Sequence, residues 1–137
     1  MIEFYGYKSP FSNFFPCMYA FEWQGQVYMV NCSEQAYMIC KATIMAPSRI
    51  HEIMTCKYGK QAKDAGRKLP YNKAWEDVKV EAMYQAVSQK FTKVPGLAEL
   101  LKSTGDEVLV EASPTDSFWG AGTNMLGQIL MKIRSQL

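Results

Sequence analysis

The strongest constraint on this chain lies between Asn72 and Phe91, where Trp75, Val78, Ala82, Met83, Ala86, Val87 and Phe91 recur at helical spacing. A long amphipathic helix is predicted there, with Asn72 as its cap. Its apolar stripe needs a core to face. The chain has 137 residues, 48% of them hydrophobic and 20% charged, which suits one folded domain over 1–137 and excludes a disordered chain.

Around that helix the remaining pattern reads as α+β, mainly helical, with a small β-sheet. A strand is expected at Ile2–Tyr5, followed by an ordered aromatic loop, since Pro10 and Pro16 bar a regular helix. Met18–Trp23 and Gln26–Met29 flank Gln24-Gly25 and read as a hairpin. Ser33–Met45 reads as a helix, with Asn31 and Glu34 forming a capping box and Pro47 ending it. Shorter helices are expected at Ser48–Cys56, Gly59–Lys68 and Leu97–Lys102, a buried strand at Val108–Glu111, and a last helix over Asn124–Ser135.

Fifteen Lys plus Arg against thirteen Asp plus Glu leave a net charge of +2, which argues against a protein that works by coating nucleic acid or anionic membrane. The charge is nevertheless polarised. Residues 57–73 carry five Lys and Arg67 against Asp64 alone, while 99–116 hold five acids against Lys102. One end should therefore favour an anionic ligand. No apolar run approaches the ~20 residues of a membrane span and no leader pattern opens the chain, so a cytoplasmic protein is expected. Cys17, Cys32, Cys40 and Cys56 form no CxxC pair, and His51 is the lone imidazole, so the cysteines read as buried thiols and no metal site is expected.

Glu34, Met38, Lys41 and Met45 fall on one stripe of one predicted helix. An acid and an amine thus flank methionines, with their Cα atoms ~10 Å apart along the axis. The bland alternative is that Glu34 serves the helix cap and Lys41 covers apolar surface. In the 112–122 loop, Asp116 and Trp119 stand out before a helix, either as ligand contacts or as a local turn and a core residue. Gly120 and Gly122 lack the strand-turn-helix setting of a dinucleotide fingerprint. Trp75 opens the long helix as a ligand contact or a core anchor. Asn13 sits among Phe11, Phe14 and Phe15, where its amide could read a ring edge or merely build a turn.

Several segments together resemble the NADAR (YbiA-like) family of N-glycosidases. They are Phe11-Ser-Asn-Phe14, Asn31–Ala42, Ala62–Arg67, Trp75 with Lys79, Met83, Ala86, Lys90 and Phe91, Leu100–Asp106, Leu109–Ser113, Asp116, Trp119–Gly122, Asn124–Gly127 and Leu130–Arg134. The resemblance rests on their joint order over nearly the whole chain. It implies a compact, mainly helical domain that hydrolyses a ribose C1–N bond. The implied substrates are phosphorylated ribosylamino-pyrimidine intermediates of riboflavin synthesis, or ADP-ribosylated guanine in nucleic acid or nucleoside. The family's glutamate and helix lysine fall on Glu34 and Lys41, its helix-start tryptophan on Trp75, and its late-loop pair on Asp116 and Trp119. Gln35, where a relative carries a histidine, and Ile39-Cys40, in place of a more polar pair, depart from the pattern and bear on substrate preference.

The chemistry has a physical basis of its own. Breaking a C1–N bond builds positive charge on the ribose, so a carboxylate such as Glu34 can stabilise that charge or activate water. A lysine such as Lys41 can instead attack the anomeric carbon and form a Schiff base, provided it is sometimes neutral. Trp75 and Trp119 would stack on base or sugar, Asn13 would read a polar edge, and Arg67 with nearby lysines would hold phosphate. Neither a metal nor a redox cofactor is called for, and no obligate protein partner is expected. The alternative from another class is a non-catalytic ADP-ribose or nucleotide-binding module using the same aromatic and basic segments.

Overall fold

The computed structural model describes residues 1–137. In chain order the elements are β1 (Ile2–Phe4), β2 (Tyr19–Trp23), β3 (Gln26–Val30), α1 (Ser33–Met45), α2 (Ile50–Met54), α3 (Gly59–Arg67), α4 (Trp75–Lys93), α5 (Leu97–Lys102), β4 (Leu109–Glu111) and α6 (Met125–Gln136). The class is α+β with helices dominant, as the pattern predicts. The expected single sheet is instead two separate two-stranded ladders. β2 and β3 form the antiparallel hairpin, while β1 pairs in parallel with β4 in the register Ile2↔Leu109, Glu3↔Val110 and Phe4↔Glu111. Such a pairing across the chain's length leaves no local signature, which is why the sequence places β1 and β4 without joining them.

Helix α1 is the centre of the molecule. Ser33 to Cys40 and Ala42 are all buried, so α1 is enclosed nearly all round, its polar Ser33, Glu34 and Gln35 included, rather than on one stripe. The expected capping box does not form. Cys32 is the N-cap and makes no side-chain cap bond. Gln35 reaches back instead, its Oε1 accepting from the Asn31 N–H at 2.7 Å while its Nε2 donates to carbonyls of residues 53, 54 and 56. Asn31 uses its own amide to hold Cys56 O and Lys57 O. Asn72 does not cap α4 either. Its Oδ1 accepts from the Ala74 N–H in the turn that precedes the helix. Residues 48–56 split into a 3-10 turn (Pro47–Arg49) and the short α2. Of the four free thiols, Cys32 and Cys40 are buried, whereas Cys17 and Cys56 are half-buried, short of the full burial expected.

Helix α3 lies close against α1 because Gly59, Ala62 and Gly66, all buried, share one of its faces. A Cβ at Gly66 would fall 2.1 Å from Met38 Sδ, and one at Gly59 would fall 2.8 Å from Phe14 Cδ1. These two glycines are therefore a condition of the close approach. Gly66→Ala is expected to force Met38 from its place and to lower stability by about 1–3 kcal/mol, measured as a reduced urea midpoint. An unchanged midpoint would show that the α1–α3 contact is looser than described.

Candidate active site

A cavity of about 1050 Å³ opens between α1, α3, the aromatic loop after β1 and the 111–119 segment. It is at the upper end of the ~300–1,000 Å³ usual for small-molecule sites. All seven residues singled out above, Asn13, Glu34, Lys41, Arg67, Trp75, Asp116 and Trp119, line it. What each does there differs from residue to residue.

Glu34 sits in the first turn of α1 and is 6% exposed. Its carboxylate makes no hydrogen bond or ion pair within the protein, since the ion pairs lie elsewhere. This disposes of the capping alternative. Burial pushes its proton affinity up to about 7, with the charges of Asp116 and Glu111 adding to the rise and those of Lys63 and Lys41 opposing it. Lys41, two turns along, is half-buried and also lacks an ion-pair partner. Desolvation pulls its pKa below the ordinary lysine value even though Glu34 acts in the other direction. The two opposing effects that the sequence leaves unranked are thus ordered by burial. A carboxyl that shares its proton near neutrality and an amine eased toward its neutral form face one cavity.

The position of Glu34 is fixed from the aromatic loop. Asn13 O accepts from the Glu34 N–H at 3.0 Å, and Asn13 Oδ1 accepts from Ser33 Oγ at 2.8 Å. Asn13 Nδ2 points at Met83 Sδ, 3.2 Å away. Asn13 thus holds the start of α1 through its carbonyl and Oδ1 while lining the cavity. The loop is in turn held by Lys90, whose buried ammonium donates to Ser12 O at 2.8 Å and lies 5.7 and 5.1 Å from the ring centroids of Phe15 and Phe91. With no carboxylate to pair it, burial lowers its pKa to about 8.

The aromatic wall has an unforeseen centre. Tyr37 lies 5.3 Å from Trp75 and 5.5 Å from Trp119, centroid to centroid, and joins the two tryptophans into one surface. Trp75 is 5% exposed, a core anchor with one edge on the cavity, whereas Trp119 is half-buried. Asp116 spends one carboxylate oxygen on its own loop, Oδ1 accepting from the N–H groups of Phe118 at 3.0 Å and Trp119 at 2.9 Å. The local-turn alternative is therefore present, and this turn sets Trp119 at the cavity. On the opposite wall, Lys57, Lys60, Lys63 and Arg67 give the cavity a basic lining. Arg67 touches Asp64 at 3.4 Å with its side chain 66% exposed, a weak surface pair that a phosphate could displace. Sequence reasoning did not single out Tyr37 or Glu111, and reached Lys63 only as one of the lysines near Arg67; all three line the cavity. Tyr37 shares a turn with Glu34 and could have been found from i, i+3 spacing, whereas Lys63 and Glu111 depend on tertiary packing. No group of three or more His, Cys, Asp or Glu is placed to hold a metal.

These features have a counterpart among known proteins. The NADAR domain family matches residues 3–137, and the chain belongs to that family. Within it, the chain is 30% identical to the Escherichia coli protein YbiA, whose NMR structure superposes with a TM-score of 0.81 over 98% of this chain and 83% of that one. An N-glycosidase of Acanthamoeba polyphaga mimivirus is 29% identical over 92% of this chain and 86% of its own. The chloroplastic riboflavin biosynthesis protein PYRR of Arabidopsis thaliana is 52% identical over 67 residues, which cover 45% of this chain but 11% of that protein. No helix is long and apolar enough to cross a membrane.

Proposed function

We propose that this protein is an N-glycosidase that hydrolyses a ribose C1–N bond in a phosphate-bearing substrate. The observation that carries this reading is the cavity shared by Glu34 and Lys41, neither of which is tied to a partner in the protein. Relatives named N-glycosidase support it. In the proposed sequence, neutral Lys41 attacks C1 while protonated Glu34 donates to the departing nitrogen, so the base leaves neutral. The lysine-bound sugar opens to a Schiff base. Glu34, now ionised, takes a proton from the incoming water, and the C1–lysine bond breaks to release the sugar and restore both groups. Tyr37, Trp75 and Trp119 would hold the base against an apolar face, while Lys60, Lys63 and Arg67 would take the phosphate.

A phosphorylated ribosylamino-pyrimidine is the favoured substrate, given the riboflavin-related relative. The size of the cavity favours a second substrate, ADP-ribosylated guanine, because it leaves room for a dinucleotide-sized ligand. Incubation with each candidate and identification of the released base by mass spectrometry is expected to show free base from at least one. Tight ADP-ribose binding in a calorimeter with no base released from either would assign the cavity to a binding module instead.

A further inference from the structure

Glu111, like Asp116, is a cavity carboxylate whose place is fixed by the fold and which the mechanism above leaves idle. It ends β4, and its backbone is clamped. The Glu111 N–H donates to Asn124 Oδ1 at 3.0 Å while Asn124 Nδ2 donates to Leu109 O at 2.9 Å. Asn124 adopts a left-handed φ of 54° in making this bridge. The side chain is walled as well, since a Cβ at Gly120 would come within 2.6 Å of Glu111 Oε2. The carboxylate is half-buried and lines the cavity, the Ser113 N–H lies beside it, and no side chain donates to it. Glu111 and Glu34 line the same cavity, and the charge of Glu111 adds to the rise in the Glu34 pKa.

A half-buried carboxylate on the cavity wall with no side-chain donor of its own is open to donors from a ligand. The walls limit where those donors lie. A flat base belongs on the aromatic surface of Tyr37, Trp75 and Trp119 and phosphate on the basic face of α3, which leaves the sugar edge for the polar 111–116 side. We propose that Glu111 holds the ribose of the substrate, accepting hydrogen bonds from its 2′- and 3′-hydroxyls while C1 sits between Glu34 and Lys41. This assignment rests on the N-glycosidase reading and makes the site selective for ribose over 2-deoxyribose.

Calorimetry with guanosine 5′-monophosphate and its 2′-deoxy counterpart tests it without turnover. The unaltered protein is expected to bind the ribonucleotide about tenfold or more tightly than the deoxynucleotide, as a charge-assisted hydrogen bond implies. Glu111→Gln should largely abolish that preference, weakening the ribonucleotide more than the deoxynucleotide, which keeps only the 3′-hydroxyl bond. Equal affinities in the unaltered protein, binding of neither nucleotide, or a preference that survives in Glu111→Gln would each overturn the assignment; the first two need no variant. Base release alongside equal affinities would overturn the Glu111 subsite and leave the glycosidase reading intact. A ribose preference without base release from any candidate would do the reverse.

Discussion

Glu34→Gln is expected to lose about a hundred- to ten-thousandfold in turnover and, at pH 8, to become more stable than the parent protein. The two effects have one cause. In the folded state the carboxyl keeps its proton up to about 7, against 4.5 for an ordinary glutamate, because α1 buries it without a hydrogen-bond donor or cation in contact. The folded state therefore binds this proton more tightly than the unfolded state does. Its contribution to stability is present below pH 4.5 and is lost as pH rises through about 7. An amide carries no such penalty. The variant's advantage should be near zero at pH 4 and grow to about 2–3 kcal/mol at pH 8, read from urea denaturation at the two values. A variant less stable than the parent at pH 8 would mean that the carboxylate is held by contacts the structure does not contain. Full turnover in the variant would remove Glu34 from the chemistry.

Lys41→Ala is expected to fold with little change in stability and to lose about a thousandfold or more in base release, because the proposed nucleophile is gone. Lys41→Arg sharpens the point. A guanidinium keeps the positive charge but does not shed its proton, so it can neither attack C1 nor form a Schiff base. If the lysine acts only as a charge near Glu34, the arginine variant should retain most of the activity. If it acts as a nucleophile, both variants should be equally poor. Initial rates of base release with the three proteins decide between these.

The parts of this account that are legible in the sequence are local. Leu97–Lys102 is a helix with the bounds that the pattern predicts, and the hairpin turns at Gln24-Gly25, where Gln24 takes φ 50° and Gly25 φ 80°. Glu34 and Lys41 could be paired because one helix carries both, so their spacing alone sets them on one face. Asn31 and Asn72 mislead for the opposite reason. Their side chains suit caps, but bonds to residues far along the chain or to a preceding turn engage them first. Helix α4 also runs two residues past the last apolar position, to Lys93, where Pro95 and Gly96 close it. Glu111 could not be foreseen as part of the site, and Lys63 only as one of the lysines near Arg67. One arrives by the β1–β4 pairing and the other by the α1–α3 contact through Gly59 and Gly66, and neither contact has a periodicity of its own.

The central claim is that a ribose C1–N bond breaks in this cavity with Lys41 attached to the sugar. Borohydride reduction during turnover, with the released base and the protein's peptides analysed by mass spectrometry from the same sample, tests it most directly. Free base is expected together with a reduced sugar phosphate on Lys41 and on no other lysine. Free base in good yield with Lys41 unmodified, or the adduct on Lys63 in its place, would contradict it.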